Sequence, residues 1–358
     1  MRSPDVQQLG MFAQVSIEER VPEDHPIRPL RELVDKLLKG LDPVFQKRYS
    51  AFGRPSIPPE RLLRASLLQV IYSVRSERLL MEQLDYNLLF RWFVGLNIDD
   101  DVWDHSTFSF NRERLFDDEI AQRFFESTVL HAQIKGLISS EHFSVDGTLL
   151  EAWASHKSFR PKDGGDDGDG GDFRGQRRCN DSHESTTDPD ARLARKGAGK
   201  ESKLSYQAVA LMENRIGLAV GTGVWHATGT AECEGAMALI DEMQLGAGCS
   251  VGADKGFDRE SFVSGLIERK IKPHVARSTK GRRSAVPDKV ARTKGYAKSQ
   301  EIRKRIESIF GWVKVIGGLR KLPFTGLATV KGHVAWVFAA YNLVRLGGME
   351  GWWNPAPT

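Results

Sequence analysis

The sequence predicts an α/β protein in which an all-helical N-terminal region precedes a core built on a mixed sheet. Apolar residues recur at helical spacing from residue 26 to about residue 135, and the period changes abruptly near residue 141. A strand hairpin and then alternating helices and strands follow, an order typical of a mixed sheet. We expect two domains, residues 1–135 and 136–350, because a domain has roughly 150 residues and the chain has 358.

The composition is that of a globular protein with a sizeable core, since 40% of residues are hydrophobic and 27% are charged. Positive charge is concentrated in residues 269–298, which contain eleven Lys or Arg and one acid. Both a solvated linker and a nucleic-acid contact fit such a run. The three cysteines are far apart and form no CxxC pair, which argues against a disulfide framework or a zinc knuckle and indicates a reducing compartment.

Signals for export or membrane insertion are not found in the sequence. The first 25 residues lack the apolar core of a signal peptide. No uncharged apolar run approaches the length of a membrane span. We therefore expect a cytoplasmic protein without a membrane partner.

The N-terminal region predicts a series of amphipathic helices. The prolines of SIPPE suit the start of a helix over RLLRASLLQVIYSVRSERLLMEQL. A later helix over DHSTFSFNRERLF would be capped by Ser106 or Thr107 and would carry Arg112 and Arg114 on a basic side. A helix-turn-helix DNA reader and a plain helical bundle both fit this pattern. In the first helix, IRPLRELVDKLLKGL, one apolar face is expected to contain Ile27, Leu30, Leu33, Val34, Leu37, Leu38 and Leu41.

The first strand of the core is predicted in EHFSVDGTLLEAW. It is expected to be short and to end at Asp146, because Asp146-Gly147 has the composition of a turn. Residues 163–172 then contain five Asp and five Gly, but they lack the glutamate that a calcium loop needs at its twelfth position. We expect a flexible insertion at about 160–200.

The rest of the core is predicted to alternate between strands and helices. KLSYQAVALMEN and RIGLAVGTGVWHA predict a hairpin that turns around Asn214-Arg215. GTGVWH is not a dinucleotide-binding fingerprint, because His226 stands where its third glycine belongs. CSVGADKGF predicts a strand that leads into a turn. Helices are predicted in AECEGAMALIDEM, RESFVSGLIERK, QEIRKRIESIFGWVKVIGG and KGHVAWVFAAYNLVRL.

Three carboxylates stand at positions that suggest a shared site. Asp146 and Asp254 each end a predicted strand, and ligands gather at the carboxyl ends of strands in open α/β sheets. Glu307 lies on a predicted helix among cations. Three carboxylates brought together repel one another, so such a site needs divalent metal. Two Mg²⁺ ions about 4 Å apart would activate an attacking oxygen and stabilise a leaving one in phosphodiester chemistry.

The helix that carries Glu307 has an unusual polar side. Arg303, Glu307 and Lys314 lie within roughly 40° of one another on the helix, away from its apolar stripe. Gly311, one turn beyond Glu307, leaves a gap where another backbone can approach. An ion pair between Arg303 and Glu307 would explain two of these features. It would not explain a glycine in mid-helix, which costs about 1 kcal/mol relative to alanine.

FSVDGTLLEAW, VGADKGF and the spacing R303-x3-E307-x6-K314 resemble the DDE transposases of bacterial insertion sequences, the group named after insertion sequence five. The resemblance covers most of the chain, including RYSAFGRPSIPPERLL and DHSTFSFNRERL in the helical region. It implies a ribonuclease-H-like core, dependence on Mg²⁺ with Mn²⁺ as a substitute, and a catalytic triad of Asp146, Asp254 and Glu307. Gln300 stands where the family signature Y-x2-R-x3-E-x6-K has a tyrosine.

The resemblance also implies the activity and the partners. The expected activity is cutting and joining of DNA at the terminal inverted repeats of an insertion sequence. The expected partner is double-stranded DNA, both element ends and target, bound by a homodimer. A metal-dependent nuclease without strand transfer and a catalytically silent DNA-binding regulator remain alternatives. The cations expected to contact DNA are Lys255, Arg303, Lys314, Arg320 and Lys321.

Overall fold

The computed structural model describes residues 16–49, 56–115, 118–162, 178–197, 199–278 and 283–353. The part before residue 135 is helical, as the sequence predicts. Its helices are α1 (Ile17–Arg20), α2 (Ile27–Lys39), α3 (Asp42–Arg48), α4 (Pro59–Ile71), α5 (Glu77–Tyr86), α6 (Leu88–Val94), α7 (His105–Leu115) and α8 (Asp118–Ile134).

The helical period determines which residues of this region are buried. Every residue of the predicted apolar face of α2 is buried, and Leu41 just beyond the helix is 3% exposed. Helix α4 begins at Pro59, as the fixed φ of proline favours. Helix α7 begins at His105, before the predicted cap residues Ser106 and Thr107. The carboxylate of Asp104 accepts the backbone N–H of Ser106 at 2.8 Å and so takes the capping role instead.

The second part of the chain combines strands with helices. Its strands are β1 (His142–Glu151), β2 (Phe159–Pro161), β3 (His183–Ser185), β4 (Arg192–Ala194), β5 (Lys203–Glu213), β6 (Leu218–His226), β7 (Ser250–Ala253) and β8 (Lys272–Val275). Its helices are α9 (Ala231–Glu242), α10 (Glu260–Glu268), α11 (Asp288–Ala291), α12 (Lys294–Ile302), α13 (Ile306–Val315) and α14 (Leu327–Met349). The predicted hairpin is confirmed, since β5 and β6 pair antiparallel on either side of residues 214–217.

Strand β1 lies inside a mixed sheet. On one side it pairs antiparallel with β5, which pairs antiparallel with β6 and, at its start, with β4. On the other side β1 pairs parallel with β7, and β7 pairs parallel with β8. An antiparallel meander joined to two parallel strands beside β1 is the ribonuclease-H-like arrangement. The predicted fold class is confirmed.

Two strands differ from their prediction. Strand β1 does not end at Asp146 but continues to Glu151, because residues 143–151 pair continuously with β5. The ladder hydrogen bonds of this long antiparallel pair outweigh the turn preference of Asp-Gly. Strand β8 was not predicted. It lies within the basic run, where Pro273, His274 and Val275 are buried, so this part of the run is not a solvated linker.

The predicted insertion at about 160–200 is described in part. Strands β2 and β3 pair antiparallel, and β4 joins the main sheet at Ser205 to Lys203 of β5. Residues 163–177, which include the Asp/Gly tract, lie outside the described residues. The limits of the two domains remain a prediction.

Helix α14 joins the helical region to the sheet. The ring of Trp336 packs against Phe124 of α8 with 4.7 Å between ring centroids. The fully buried amide of Asn342 donates to Thr128 Oγ1 in α8 at 3.1 Å and to the Ala219 carbonyl in β6 at 2.8 Å. Although α14 has 23 residues, neither it nor any other helix in the described part of the chain is both long and apolar enough to cross a membrane.

Candidate active site

Asp146 lies on one face of β1. Residues of the helical segment that follows β8 pack near this face on either side of Asp146. Side chains alternate along a strand, so Ser144, Asp146 and Thr148 share this face. At the Ser144 end, a Cβ built on its neighbour Gly252 would lie 2.9 Å from Ser299 Oγ and 3.5 Å from Arg303 Cβ. At the Thr148 end, Lys314 Nζ donates to Thr148 Oγ1 at 2.6 Å. The helical segment from Ser299 to Lys314 therefore runs along β1.

The helical period places Glu307 on the same side of α13 as Lys314, which contacts β1. In the sequence it stands between Arg303, which lies in a 3₁₀ turn before α13, and Lys314. Arg303 packs near the Ser144 end of the stretch, and Lys314 bonds to its Thr148 end. The Glu307 side chain is exposed, and it takes part in no hydrogen bond or ion pair with another described residue. Arg303 Nε donates to Gln300 Oε1 at 2.9 Å instead. The ion pair between Arg303 and Glu307 is therefore not formed.

The two aspartates are brought to the same level by the parallel strands. Ser144 of β1 is in register with Gly252 of β7, so two residues further on Asp146 falls level with Asp254. Asp254 directly follows β7 and caps a single 3₁₀ turn, accepting the Gly256 N–H at 2.6 Å. The predicted position of Asp254 at the end of a strand is confirmed.

Asp146 has a strongly perturbed pKa. Burial, together with the negative charges of Asp254 and Glu232, raises the pKa of this carboxyl to about 7. A hydrogen bond from the Gly147 N–H, at 2.8 Å, and the charge of Arg303 act in the opposite direction. Asp146 and Asp254 are thus close enough to influence each other. Glu307 is not among the acids that raise this pKa.

Glu232 is an acid of this site that the sequence did not predict. It lies in the first turn of α9, which packs on the sheet face opposite to α13. Burial raises the pKa of Glu232, and the charge of Asp254 raises it further. The only sequence signal was Gly147, which was interpreted as a turn residue. In the structure it leaves space that the Glu232 side chain fills.

The predicted DNA-contacting cations follow β1 from one end to the other. Lys255 is exposed next to Asp254, and Arg303 packs beside Ser144. Lys314 donates to the Leu149 carbonyl at 3.0 Å as well as to Thr148, and burial, followed by the charges of Lys196 and Arg320, lowers its pKa. Arg320 and Lys321 are exposed beside the end of β1, where the Leu322 N–H donates to the Glu151 carbonyl at 2.8 Å.

Gln300, which stands in place of the signature tyrosine, connects Arg303 to the sheet. Its amide Nε2 donates to the His274 carbonyl in β8 at 2.5 Å. Its Oε1 accepts the Arg303 Nε–H. Gln300 therefore fixes the direction of the Arg303 guanidinium.

The acids of this site offer carboxylate oxygens, but they do not form a complete set of metal ligands. Carboxylate oxygens suit Mg²⁺ and Mn²⁺. Within the described ranges, no three His, Cys, Asp or Glu side chains are already spaced to hold a metal ion. The donor set nevertheless fits a divalent cation in its chemistry, because partly buried Asp146 lies near two further acids whose repulsion a cation would relieve.

Comparison with protein families identifies the chain. The model described as "Transposase DDE domain" matches residues 141–343, and the model described as "Transposase domain (DUF772)" matches residues 15–114. The first match alone covers more than half of the chain. The protein belongs to the DDE transposase family and is a DNA transposase, an enzyme of DNA transposition.

Solved structures of transposases show only a distant likeness. The piggyBac transposase synaptic complex with hairpin DNA is 11% identical, with 93% of this chain and 77% of that chain covered and a TM-score of 0.43. The Mos1 transposase paired-end complex with left transposon end is 10% identical, with 87% of each chain covered and a TM-score of 0.20. The Mos1 mariner paired end complex with Mn is 10% identical, with 86% and 85% covered and a TM-score of 0.19. Scores this low establish no shared detail.

Proposed function

We propose that this transposase cuts and joins DNA at the terminal inverted repeats of an insertion sequence, with Asp146, Asp254 and Glu307 as its catalytic carboxylates. The observation that carries the proposal is the β1–β7 register, in which the two aspartates fall level. Helix α13 adds support, because it runs along the face of β1 that carries Asp146 and presents Glu307 to solvent there.

The three carboxylates would hold two Mg²⁺ ions, with Mn²⁺ as a substitute. Asp146, on the central strand, would hold both ions, Asp254 one of them, and Glu307 the other. Bound divalent ions lower the pKa of an attacking hydroxyl and neutralise the charge that develops on the leaving oxygen. The elevated pKa of Asp146 supports this assignment, since a carboxyl near two other acids gains most from a bound cation.

The neighbouring cations would bind and orient the DNA backbone. Arg303, held in direction by Gln300, presents a planar guanidinium suited to a phosphate. Lys314 donates to Thr148 and Leu149 of β1, and together with exposed Lys255 it would clamp phosphates of the scissile strand. Arg320 and Lys321 would contact the duplex beyond the end of β1.

The helical region, residues 1–135, would bind the element ends. A homodimer would present two such regions and two catalytic cores, so that both ends of one element are held together. These assignments rest on the family to which the chain belongs.

The activity can be tested with purified protein and DNA that carries its flanking element ends. With Mg²⁺ or Mn²⁺ we expect nicked ends and products in which ends are joined to a target plasmid. Asp146→Asn should abolish both products. Cleavage without joined products would identify a nuclease, and specific binding of ends without cleavage would identify a silent regulator.

A further inference from the structure

The carboxylate of Glu232 occupies space left by two glycines, each close in sequence to one of the aspartates. A Cβ built on Gly147, which follows Asp146, would lie 2.5 Å from Glu232 Oε1. A Cβ built on Gly256, two residues after Asp254, would lie 3.6 Å from Glu232 Oε2. One carboxylate therefore reaches from the strand of Asp146 to the turn of Asp254.

The structural roles that an acid usually has at a helix start do not explain this position. An acid in the first turn stabilises a helix, but Glu234 lies in the same turn and is exposed. The charge of Arg259 lowers the pKa of Glu232, and so does a hydrogen bond from the Gly147 N–H, which also donates to Asp146. The Arg259 guanidinium donates to the carbonyls of Gly256 at 3.2 Å and Gly229 at 3.1 Å. Among the described residues it forms no ion pair with Glu232.

We propose that Glu232 is a fourth carboxylate of the metal site and binds the divalent cation shared by Asp146 and Asp254. The proposal rests on the proposed function, in which these two aspartates hold a cation. Glu232 would approach from the sheet face opposite to α13, so that ligands reach the cation from both faces. Its partial burial and its raised pKa agree with a carboxylate that lacks a counter-charge when no metal is bound.

The test is Mn²⁺ binding to the full-length chain, followed by electron paramagnetic resonance, which needs neither DNA nor catalysis. Glu232→Gln keeps the shape of the side chain and removes its charge. We expect it to weaken Mn²⁺ binding at least about tenfold, since even partners outside the ligand shell change metal affinity by roughly 10–100-fold. Glu234→Gln is the matched control, because it removes a charge from the same helical turn. Its Mn²⁺ affinity should stay close to the wild-type value, because the Glu234 side chain is exposed.

Gly147→Ala provides a second test that keeps every carboxylate. The added methyl group would meet Glu232 Oε1 and Gln207 Nε2, each at 2.5 Å, and Glu232 Cγ at 2.7 Å. Both side chains are flexible, and Gly147 does not have the positive φ that only glycine adopts readily. The strand should therefore persist while Glu232 is displaced. We expect weaker Mn²⁺ binding and a far-ultraviolet circular dichroism spectrum like that of the wild type.

Asp254→Asn separates failure of this inference from failure of the proposed function. If Asp254→Asn loses Mn²⁺ while Glu232→Gln binds it like the wild type, Glu232 is not a ligand and the proposed function stands. Equal losses of Mn²⁺ affinity in Glu232→Gln and Glu234→Gln would show that any negative charge at the start of α9 has this effect. That result would overturn the inference. A wild-type chain that binds no Mn²⁺ would overturn the metal site and this inference together.

Discussion

Asp146 shows how much of the candidate site depends on one residue. The sequence predicted it at the end of a strand, but β1 continues past it to Glu151, and its catalytic role remains a proposal. What matters is that the parallel pairing with β7 brings Asp146 level with Asp254. The positions of both aspartates were predictable because Asp146 lies in a recognisable strand and Asp254 directly follows another. Glu232 was not predictable, because its place depends on how α9 packs over Gly147 and no local pattern encodes that contact.

Removing single carboxylates should separate catalysis from folding. Asp146→Ala, Asp254→Ala and Glu307→Ala should each lower DNA cleavage by at least about a hundredfold, since loss of a ligand exceeds the roughly 10–100-fold effect of its outer partners. Melting temperature should not fall in Asp146→Ala, which relieves repulsion among the acids, or in Glu307→Ala, which has no partner among the described residues. It should fall slightly in Asp254→Ala, which loses the hydrogen bond from the Gly256 N–H. Gel-shift binding of element ends should persist, since it depends on cations. Full cleavage by Glu307→Ala would remove Glu307 from the triad, and a collapsed melting transition would make it structural.

Gln300 and Arg303 should act as one unit in catalysis. Gln300→Met removes both hydrogen bonds while keeping the length of the side chain. We expect a cleavage rate about tenfold lower, because a phosphate contact that loses its direction is worth about 1.4 kcal/mol less, the free energy of one tenfold step. The rate should be compared among Gln300→Met, Arg303→Met and the double variant. Additive losses would show that Gln300 does not act through Arg303.

At the scale of elements, local patterns predicted the helices better than the strands. The apolar spacing of α2 and the hairpin of β5 and β6 are encoded within short segments, and both were predicted. Strand β8 was missed because its four residues include a proline and lie in a basic run. It is a strand because β7 offers it a parallel partner, from residue 272 to 275. Long-range pairing of this kind leaves little trace in the local sequence.

The contact between α13 and β1 should contribute to both stability and activity. Lys314→Met breaks the hydrogen bonds to Thr148 and Leu149, each from a charged donor that is half-buried. We expect unfolding free energy to fall by about 1–2 kcal/mol, since bonds to charged groups contribute somewhat more than neutral ones. Urea unfolding measures this change. Lys321→Met is the control, because Lys321 is exposed and its ammonium lies over the Trp153 ring at 5.8 Å, a weak contact. Its unfolding midpoint should move less than that of Lys314→Met. Equal midpoints for all three proteins would contradict the structural role of Lys314.

At the scale of the whole molecule, the cations beside β1 should make DNA binding strongly dependent on salt. Each phosphate that a cation neutralises releases counterions, so log affinity should fall steeply with log salt concentration. Arg320→Gln and Lys321→Gln should each reduce that slope by about 1, because both side chains are exposed at the end of β1. Fluorescence anisotropy with a labelled duplex measures the slope. Unchanged slopes would mean that these residues form a solvated surface.

The stability of the whole fold should depend on pH through His274 of β8. This side chain is 5% exposed, and its ring lies 5.9 Å from the rings of both His142 and Tyr296, measured between centroids. Burial, with smaller contributions from the charges of His142 and Lys272, lowers the pKa of His274 to about 4. The folded protein thus holds this imidazole neutral, whereas the unfolded chain protonates it at a pKa of about 6.5.

The unfolded state therefore binds the proton first as the pH falls. The contribution of neutral His274 to the free energy of unfolding is complete above about pH 6.5. It is lost progressively as the pH falls toward 4, with about 2 kcal/mol gone by pH 5. Urea unfolding of the wild type and of His274→Gln, at pH 7.5 and at pH 5, isolates this contribution, because the other titrating groups are common to both proteins. The loss of unfolding free energy between the two pH values should be about 2 kcal/mol smaller in His274→Gln. Equal losses in the two proteins would show that β8 can accept a charged imidazole at little cost.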